Sequence, residues 1–322
     1  MKKHRLLVTS PMHFLPKLQE KYSKIFDVDF IYPSKYSEIK QVISQYHALI
    51  PDPGAKYRID SELLIDASNL KLIVTPSTGS DHIDLSFCVD NDITVNSLKG
   101  TGSIIEDIHA SAEFSFLLLM SMIKKFVPSV EAARLGKWRE IENQFRGIEL
   151  SGKTVGLIGL GRIGKKMSKY CNAFGAKVLA TDPLGAQGVE NVEMCNSQEY
   201  LLNNSDIVCM HIHLTNDNYD YFGAKEFNQM KEGSYFLNTS RGGLLDEVAL
   251  ISALDAKKIT AAALDVIKGE QDSNLSDHIL INYARANENL IITPHIAGLT
   301  EDSQGKAAKF ALQQVHEFFR SV

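Results

Sequence analysis

The sequence predicts an α/β protein with two parallel-sheet domains. The chain has 322 residues, which is long for one domain and ample for two. Short apolar runs alternate with helical patterns through the first hundred residues, and a second such series begins at Lys153. Strands that alternate with helices form parallel sheets, because each helix carries the chain back to start the next strand on the same side.

The first series contains five strand candidates about 20 residues apart. They are the runs HRLLVTS, FDVDFIY, HALIPD, LKLIVTPS and ITVNS. The second series contains six: KTVGLIG, KVLATD, DIVCMHI, SYFLNTS, ITAAALDV and NLIITPH. Six strands are the number in a complete dinucleotide-binding fold. One helical pattern follows, and since the first series lacks a closing helix, we predict that residues 299–322 return to the first domain.

The segment 104–126 carries apolar residues on more than one helical face, and Pro128 is expected to limit the helix. Its most apolar stretch, residues 114–123, is about half a membrane span, so a buried helix is the better interpretation. The start of the chain has no apolar run long enough for a signal peptide. We therefore expect a cytoplasmic protein without a membrane partner.

Composition narrows the function classes further. The formal net charge of -5 is spread along the chain without blocks, which argues against nucleic acid as a partner. The four cysteines show no CxxC pairing, so reduced thiols are expected rather than disulfides or a metal site. No metal is expected, since the two histidines of the HIH run at 211–213 alternate along a strand without a third ligand.

A glycine motif marks the nucleotide site. Gly159, Gly161 and Gly164 form G-x-G-x-x-G between an apolar run and a helical pattern. They allow, in turn, a tight turn, close approach of the backbone to a pyrophosphate, and close packing of helix and strand. Asp182 ends the next strand candidate, where a carboxylate accepts hydrogen bonds from a ribose and repels a 2′-phosphate. NAD is therefore favoured over NADP in this Rossmann-type domain.

Several motifs together resemble the D-isomer-specific 2-hydroxyacid dehydrogenase family, including its phosphoglycerate dehydrogenase-like members. The resemblance extends over most of the chain. The segments that carry it are LKLIVTPSTGSDHIDL, ASAEFSFLLLM, LGKW, LSGKTVGLIGLGRIGK, FLNTSRGGLLDE, ALDVIKGE and LIITPHIAG.

The resemblance implies a discontinuous flavodoxin-like substrate domain of residues 1–103 and 299–322. Residues 104–298 then form the Rossmann NAD-binding domain, with a cleft between the two. The segment around 110–123 and Trp138 is the one that the family uses to pair cofactor domains, so a homodimer is expected. The chain ends soon after its last helix, so we expect no C-terminal regulatory domain.

The resemblance also assigns catalytic roles. Arg241 would bind the substrate's carboxylate and carbonyl, His295 would be the acid/base, and Glu270 would pair with His295. The residue types suit this chemistry, because a histidine titrates near neutrality, a nearby carboxylate favours imidazolium, and a guanidinium presents a planar fork to a carboxylate. The glycine loop of the substrate domain would hold the carboxylate through Ser77, Thr78 and Gly79.

Further residues are expected to contact NAD, among them His213, which stands where the family usually has proline. The cofactor-binding set is Gly159, Gly161, Arg162, Ile163, Gly164, Asp182, His211, His213, Thr215, Thr239, Ser240, Asp265 and Gly298.

The expected function is therefore interconversion of a D-2-hydroxy acid and its 2-keto acid with NAD, the identity of the acid staying open. The resemblance disfavours a formate dehydrogenase of the same family, since that branch carries a glutamine at the position of Glu270. The alternative from a different class is an NAD-sensing corepressor-like binding protein on the same fold. The sequence argues mildly against it, since it shows neither a partner-binding tail nor a basic surface.

Overall fold

A computed structural model describes residues 3–99, 103–182, 185, 189–271 and 274–321 of the chain. The chain divides into two compact units. The first comprises Met1–Ile108 and Leu299–Val322, and the second comprises His109–Gly298.

The described residues form strands and helices in alternation. The strands are β1 (Arg5–Val8), β2 (Asp27–Phe30), β3 (Ala48–Ile50), β4 (Leu72–Val74), β5 (Thr94–Asn96), β6 (Thr154–Ile158), β7 (Lys177–Thr181), β8 (Val192–Met194), β9 (Ile207–Met210), β10 (Ser234–Asn238), β11 (Ile259–Leu264) and β12 (Leu290–Ile292). The α-helices are α1 (Pro16–Ile25), α2 (Tyr36–Val42), α3 (Ser61–Leu64), α4 (Leu85–Asp90), α5 (Ser103–Glu106), α6 (Ala110–Ile123), α7 (Phe126–Arg134), α8 (Arg162–Ala173), α9 (Gln198–Asn204), α10 (Ala224–Gln229), α11 (Glu247–Asp255), α12 (Ile279–Ala286) and α13 (Glu301–Ser321). Short 3₁₀ turns lie at Ile43–Gln45, Arg139–Phe145, Asn216–Asn218 and Gly242–Leu244.

The first unit contains a five-stranded parallel sheet in the order β2-β1-β3-β4-β5. This is the flavodoxin-like order. Along β1 the side chains alternate between two cores: Leu6 and Val8 pack on one face of the sheet and Leu7 on the other. Helix α13 completes the first of these cores, where the Tyr22 hydroxyl of α1 donates a hydrogen bond to the carbonyl oxygen of Ala308 at 2.6 Å.

The second unit contains a seven-stranded parallel sheet in the order β12-β11-β10-β9-β6-β7-β8. The chain runs outward from β6 to β8 and then restarts at β9 in the other direction. The carboxyl ends of β6 and β9 therefore flank a topological switch point, the place where ligands bind in open α/β sheets. Both sheets are wholly parallel, which confirms the predicted fold class.

The second sheet differs from the prediction at its edge. Six strands were expected, and β8 is a seventh beside β7. Its three residues are partly or fully exposed, so it carries no apolar run that could have marked it in the sequence.

The predicted helix over 104–126 is wrong, because this region contains three helices, α5, α6 and α7. Between α6 and α7, Lys125 adopts a left-handed conformation with φ of 51°. Pro128 does not end a helix but lies in the first turn of α7, where a residue without an N–H group is tolerated. Within the described part of the chain, none of the helices combines the length and apolarity needed to cross a membrane.

Candidate active site and nucleotide-binding loop

Two glycines allow the loop after β6 to pack closely on its neighbours. Gly159 has a φ of 100°, and a Cβ atom there would lie 2.6 Å from the carbonyl oxygen of His211. A Cβ atom at Gly164 would lie 2.2 Å from the carbonyl oxygen of Gly159. Both distances are far below any van der Waals contact, so these positions require glycine for the fold itself.

Gly161 differs from the other two. A Cβ atom there would meet no atom of the described residues within 4 Å, so among them it would point into open space. Gly161 is also the N-cap of α8, a helix of 12 residues. The first N–H groups of such a helix have no partners within it and attract anions. Gly161 thus borders space in which a pyrophosphate can approach the backbone, and Arg162 and Ile163 begin the helix behind it.

Asp182 is attached to this loop. Its carboxylate follows β7 and accepts a hydrogen bond from the backbone N–H of Leu160 at 2.7 Å. The preceding hydroxyl, that of Thr181, is buried and has no hydrogen-bond partner among the residues that the structure describes. The carboxylate therefore lies beside the glycine loop at the carboxyl edge of the sheet, the position that a ribose-binding acid requires.

The two histidines of the HIH run were expected to alternate along a strand, but β9 ends at Met210 and both lie in the loop after it. The ring nitrogens of His211 are buried and find no hydrogen-bond partner among the described residues. Burial lowers the pKa of His211 to about 4, so the ring is neutral near pH 7. The His213 side chain is exposed. The Asn218 side chain donates a hydrogen bond to the backbone carbonyl oxygen of His213 and accepts one from the N–H of Thr215. No group of three potential metal ligands exists in the described ranges.

Arg241 follows β10 on a loop that is fixed by hydroxyl and amide groups. The Thr239 hydroxyl contacts the Ser115 hydroxyl of α6 at 2.6 Å. The Ser240 hydroxyl donates to the carbonyl oxygen of Met210 at 2.7 Å, which joins the ends of β10 and β9. The Asn238 side chain donates to the carbonyl oxygen of Arg241 at 3.0 Å. The half-buried Arg241 is thus held at the carboxyl edge of the sheet.

The structure brings His295 and Glu270 together. Nδ1 of His295 lies 2.6 Å from Oε1 of Glu270, and 44% of the His295 side chain remains exposed. Removal of the ring from water lowers the pKa of His295, but the hydrogen bond to Glu270 and its negative charge outweigh that effect, so the net pKa is raised. The positive charge of Arg241 opposes this rise.

The backbone of His295 is unusual, with a φ of 53°. Its N–H donates to the carbonyl oxygens of Asp265 and Thr293 at 2.8 and 3.0 Å. A histidine in the left-handed region is uncommon and persists only where its surroundings hold it. These two hydrogen bonds hold the turn that carries the imidazole ring.

Asp265 supplies much of that support. It is fully buried, and its carboxylate accepts hydrogen bonds from the Thr293 hydroxyl at 2.6 Å and from the N–H groups of Ile296 and Ala297 at 3.0 and 2.9 Å. These contacts support a role in shaping the histidine turn. The role in cofactor binding expected from the sequence stays a prediction, as it does for Gly298 at the end of the same turn.

The predicted carboxylate loop lies in the first unit, directly after β4. The Ser77 hydroxyl donates to the carbonyl oxygen of Gly79 at 2.6 Å, with Thr78 between them. Beneath it, the buried hydroxyl of Thr75 lies 2.9 Å from Oγ of Ser77 and 3.1 Å from Nε2 of His82. The loop is ordered by its own side chains, and its contact with a substrate stays a prediction.

The sequence did not indicate two residues near Glu270, one buried and one partly buried. Glu247 begins α11, and His278 caps α12. Burial raises the pKa of Glu247, and a hydrogen bond from the backbone of Lys268 opposes that rise. A carboxylate directly after the helix-capping Asp246 looks like an exposed first-turn acid in the sequence, so no local pattern distinguished it.

The chain matches a known family over more than half of its length. The model of the NAD binding domain of D-isomer specific 2-hydroxyacid dehydrogenases matches residues 116–297. That range includes the glycine loop, Asp182, Arg241, Glu270 and His295. The donor groups and the open space at Gly161 fit a bound dinucleotide, so the match and the geometry agree.

Individual relatives extend the similarity to the first unit. The D-3-phosphoglycerate dehydrogenase of Archaeoglobus fulgidus is 34% identical over 83% of this chain and 48% of its own length. The glyoxylate reductase of Thermofilum pendens is 35% identical over 80% of this chain and 74% of its own. The chain thus spans about half of the first relative's length and about three quarters of the second's.

Solved structures show the same architecture. The crystal structure of D-lactate dehydrogenase from Aquifex aeolicus, complexed with NAD and lactic acid, matches with a TM-score of 0.83 and 26% identity. The match covers 98% of this chain and 96% of that chain.

Proposed function

Because the chain belongs to the D-isomer specific 2-hydroxyacid dehydrogenase family, we propose that it interconverts a D-2-hydroxy acid and its 2-keto acid with NAD. The observation that carries the proposal is the 2.6 Å contact of His295 with Glu270, in the same unit that carries Arg241. An acid/base, its carboxylate partner and a carboxylate-binding cation are the groups that this reaction requires.

In the proposed mechanism the residues of this chain bind, orient and move a proton. Arg241 binds the substrate's carboxylate and polarises the carbonyl through its planar fork. In reduction, protonated His295 donates its proton to the carbonyl oxygen as it becomes a hydroxyl, and in oxidation the neutral ring accepts that proton. Glu270 stabilises the protonated ring and holds Nδ1, leaving Nε2 for the substrate. The nicotinamide, when bound, supplies or accepts the hydride.

Turnover with several acids tests this proposal directly. Purified protein is assayed for NADH consumption with glyoxylate and for NAD reduction with D-lactate, D-glycerate and D-3-phosphoglycerate. At least one pair is expected to react, and the D isomer to be preferred over the L isomer. Tight NADH binding without turnover of any acid would contradict the proposal and favour the corepressor-like alternative.

The cofactor preference is expected to follow Asp182. NADH should bind at least about tenfold more tightly than NADPH, since a like charge beside the 2′-phosphate costs about 1.4 kcal/mol or more. Asp182→Asn keeps an oxygen for the N–H of Leu160 but removes the charge, so the preference should shrink. Dissociation constants come from fluorescence titration. Equal affinities in the wild type, or an unchanged ratio in the variant, would exclude Asp182 from this role.

The proposed enzyme is expected to be a homodimer. Leu117, Phe126, Leu135 and Trp138, on α6, α7 and the segment after them, expose 54%, 56%, 74% and 70% of their surface. Large exposed apolar side chains close along one segment mark a protein interface. Leu135→Asp should give monomers by light scattering at micromolar concentration, whereas Val89→Asp, an equally exposed site in the first unit, should not. A monomeric wild type would contradict the expectation.

The pH dependence of reduction is expected to depend on Glu270. The reaction needs protonated His295, so kcat/KM for reduction falls as pH rises through the pKa of that ring. Glu270→Gln removes the charge that raises this pKa and keeps most of the shape, so the fall should occur at lower pH. Oxidation starts from the neutral ring and should be less affected. A pH profile with the same falling limb in both proteins would show that another group tunes His295.

A further inference from the structure

The backbone N–H and carbonyl groups of Lys268, close to Glu270 in the chain, are both held by side chains of low exposure, one buried and one partly buried. The N–H of Lys268 donates to Oε1 of Glu247 at 2.8 Å, and the carbonyl oxygen of Lys268 lies 3.0 Å from Nε2 of His278. The same Nε2 lies 3.3 Å from Oε2 of Glu247. Glu247 is only 5% exposed. These three residues form a closed set of hydrogen bonds around Lys268, which we call the Lys268 clamp.

The partners of His278 assign its tautomer. Its Nδ1 faces the N–H of Leu280 at 3.3 Å and must accept, as the cap of α12. Its Nε2 faces two oxygen atoms and must donate. A neutral ring with the proton on Nε2 satisfies every contact. His278 therefore has two separable tasks, capping α12 through Nδ1 and holding Lys268 through Nε2.

The clamp lies two residues before Glu270. Gly269, between them, has a φ of 62°, so the chain turns sharply after Lys268. Oε2 of Glu270 reaches back to the N–H of Ile267 at 3.4 Å, while its Oε1 contacts His295. The direction of the Glu270 side chain is thus set by the turn over 267–270, which the clamp fixes.

The clamp also connects this turn to Arg241. Gly242 packs so tightly on the turn that a Cβ atom there would lie 2.1 Å from the carbonyl carbon of Ile267. Glu247 follows in the same segment. One stretch of chain, 241–247, therefore carries both the proposed substrate-binding arginine and the carboxylate of the clamp. The side chain of Lys268 is held separately, in an ion pair with Asp220 and over the ring of Tyr219.

We propose that Glu247 and His278 are positioning residues, which hold the Lys268 peptide so that the Glu270 carboxylate meets Nδ1 of His295. This inference rests on the proposed function of the Glu270–His295 pair. It adds two residues that do not touch the substrate but set the geometry of the proton-transferring pair.

The variant His278→Asn separates the two tasks of His278. Asparagine is a good helix cap, so α12 should still begin at Ile279, but its amide is too short to reach the carbonyl oxygen of Lys268. We expect kcat/KM for reduction to fall by about 10- to 100-fold, as for a misplaced catalytic group. The pKa of His295 should fall by at least half as much as in Glu270→Gln, with the dissociation constant of NADH unchanged within twofold. His278→Gln, which restores a donor of similar reach, should recover part of both losses.

A double-mutant cycle shows whether the clamp acts through Glu270. In the Glu270→Gln background, His278→Asn should no longer move the pKa of His295, because the group that it positions is gone. Asp220→Asn, which removes only the ion pair of the Lys268 side chain, is the matched control and should leave the pKa unchanged. The pKa is measured by NMR titration of histidine-labelled protein, with the His295 signal assigned from its absence in His295→Asn.

The titration needs no turnover, so the two proposals fail in different ways. If Glu270→Gln lowers the pKa of His295 and His278→Asn does not, the clamp is overturned while the pair stands. An equal effect of His278→Asn with and without Glu270 would also overturn it. If no acid is turned over but both variants lower the pKa, the proposed function fails and the clamp stands. If Glu270→Gln leaves the pKa unchanged, Glu270 does not tune His295 and the clamp is overturned, whereas the proposed function is still decided by turnover.

Discussion

Replacing His295 by asparagine is expected to lower kcat by about 10²–10⁴-fold in both directions, the usual loss when an acid/base is removed. Asparagine does not exchange protons near neutral pH, so neither direction of the reaction retains its proton donor or acceptor. The affinity for NADH should stay nearly the same, because the glycine loop and Asp182 lie on other strands of the sheet. The measurement is steady-state kinetics in both directions, with NADH binding followed by fluorescence.

The backbone of His295 makes this substitution informative. Its φ of 53° lies in the left-handed region, where asparagine is tolerated better than most residues. The turn and its hydrogen bonds to Asp265 should therefore survive, and the loss would be chemical rather than structural. His316→Asn in α13 provides the same substitution at a residue of the first unit that has no proposed role in the reaction, and it should leave kcat unchanged. A His295→Asn enzyme within tenfold of the wild type in both directions would rule out His295 as the acid/base.

The strands of both sheets could be predicted because their signal is local. A buried parallel strand needs a short apolar run, and 11 of the 12 strands among the described residues lie within the predicted segments. The exception is β8, an edge strand that pairs with β7 and has partly or largely exposed side chains. Its formation therefore depends on pairing with β7 rather than on an apolar run of its own. The break between α6 and α7 was missed for a similar reason, since a left-handed lysine has no sequence signature.

The candidate site also combines features that have a local sequence signal with features that depend on contacts made in the fold. The glycine motif with Asp182 could be recognised from spacing, because two of its glycines meet a steric requirement of the loop and the third leaves space for a ligand. Glu270 and His295 are 25 residues apart, and their pairing was implied by the family resemblance rather than by any periodicity. The Lys268 clamp was not predicted at all. It joins residues from two helix starts and one turn, and such contacts exist only once the sheet has brought them together.

The three glycines of the nucleotide loop are expected to respond differently to alanine, although the motif presents them alike. Gly164→Ala places a methyl group 2.2 Å from the carbonyl oxygen of Gly159, a backbone atom that cannot move aside cheaply. We expect a loss of about 1–3 kcal/mol or more in the free energy of unfolding, as for other overpacked sites. Denaturant unfolding without cofactor measures this loss.

Gly161→Ala should spare the fold and impair binding. Its methyl group would enter open space, and the φ of -70° suits any residue, so the free energy of unfolding should change by less than about 1 kcal/mol, the cost of a poorer N-cap. The same methyl group would occupy the space in which a pyrophosphate approaches the backbone. The dissociation constant of NADH should therefore rise about tenfold or more, which corresponds to a loss of about 1.4 kcal/mol in binding free energy.

Because bound cofactor stabilises only the folded state, NADH should also raise the Tm of the Gly161→Ala variant less than that of the wild type. A Gly161→Ala protein with wild-type stability and wild-type NADH affinity would mean that the pyrophosphate does not pass Gly161, whereas equal destabilisation by both alanines would show that Gly161, too, is required by packing alone.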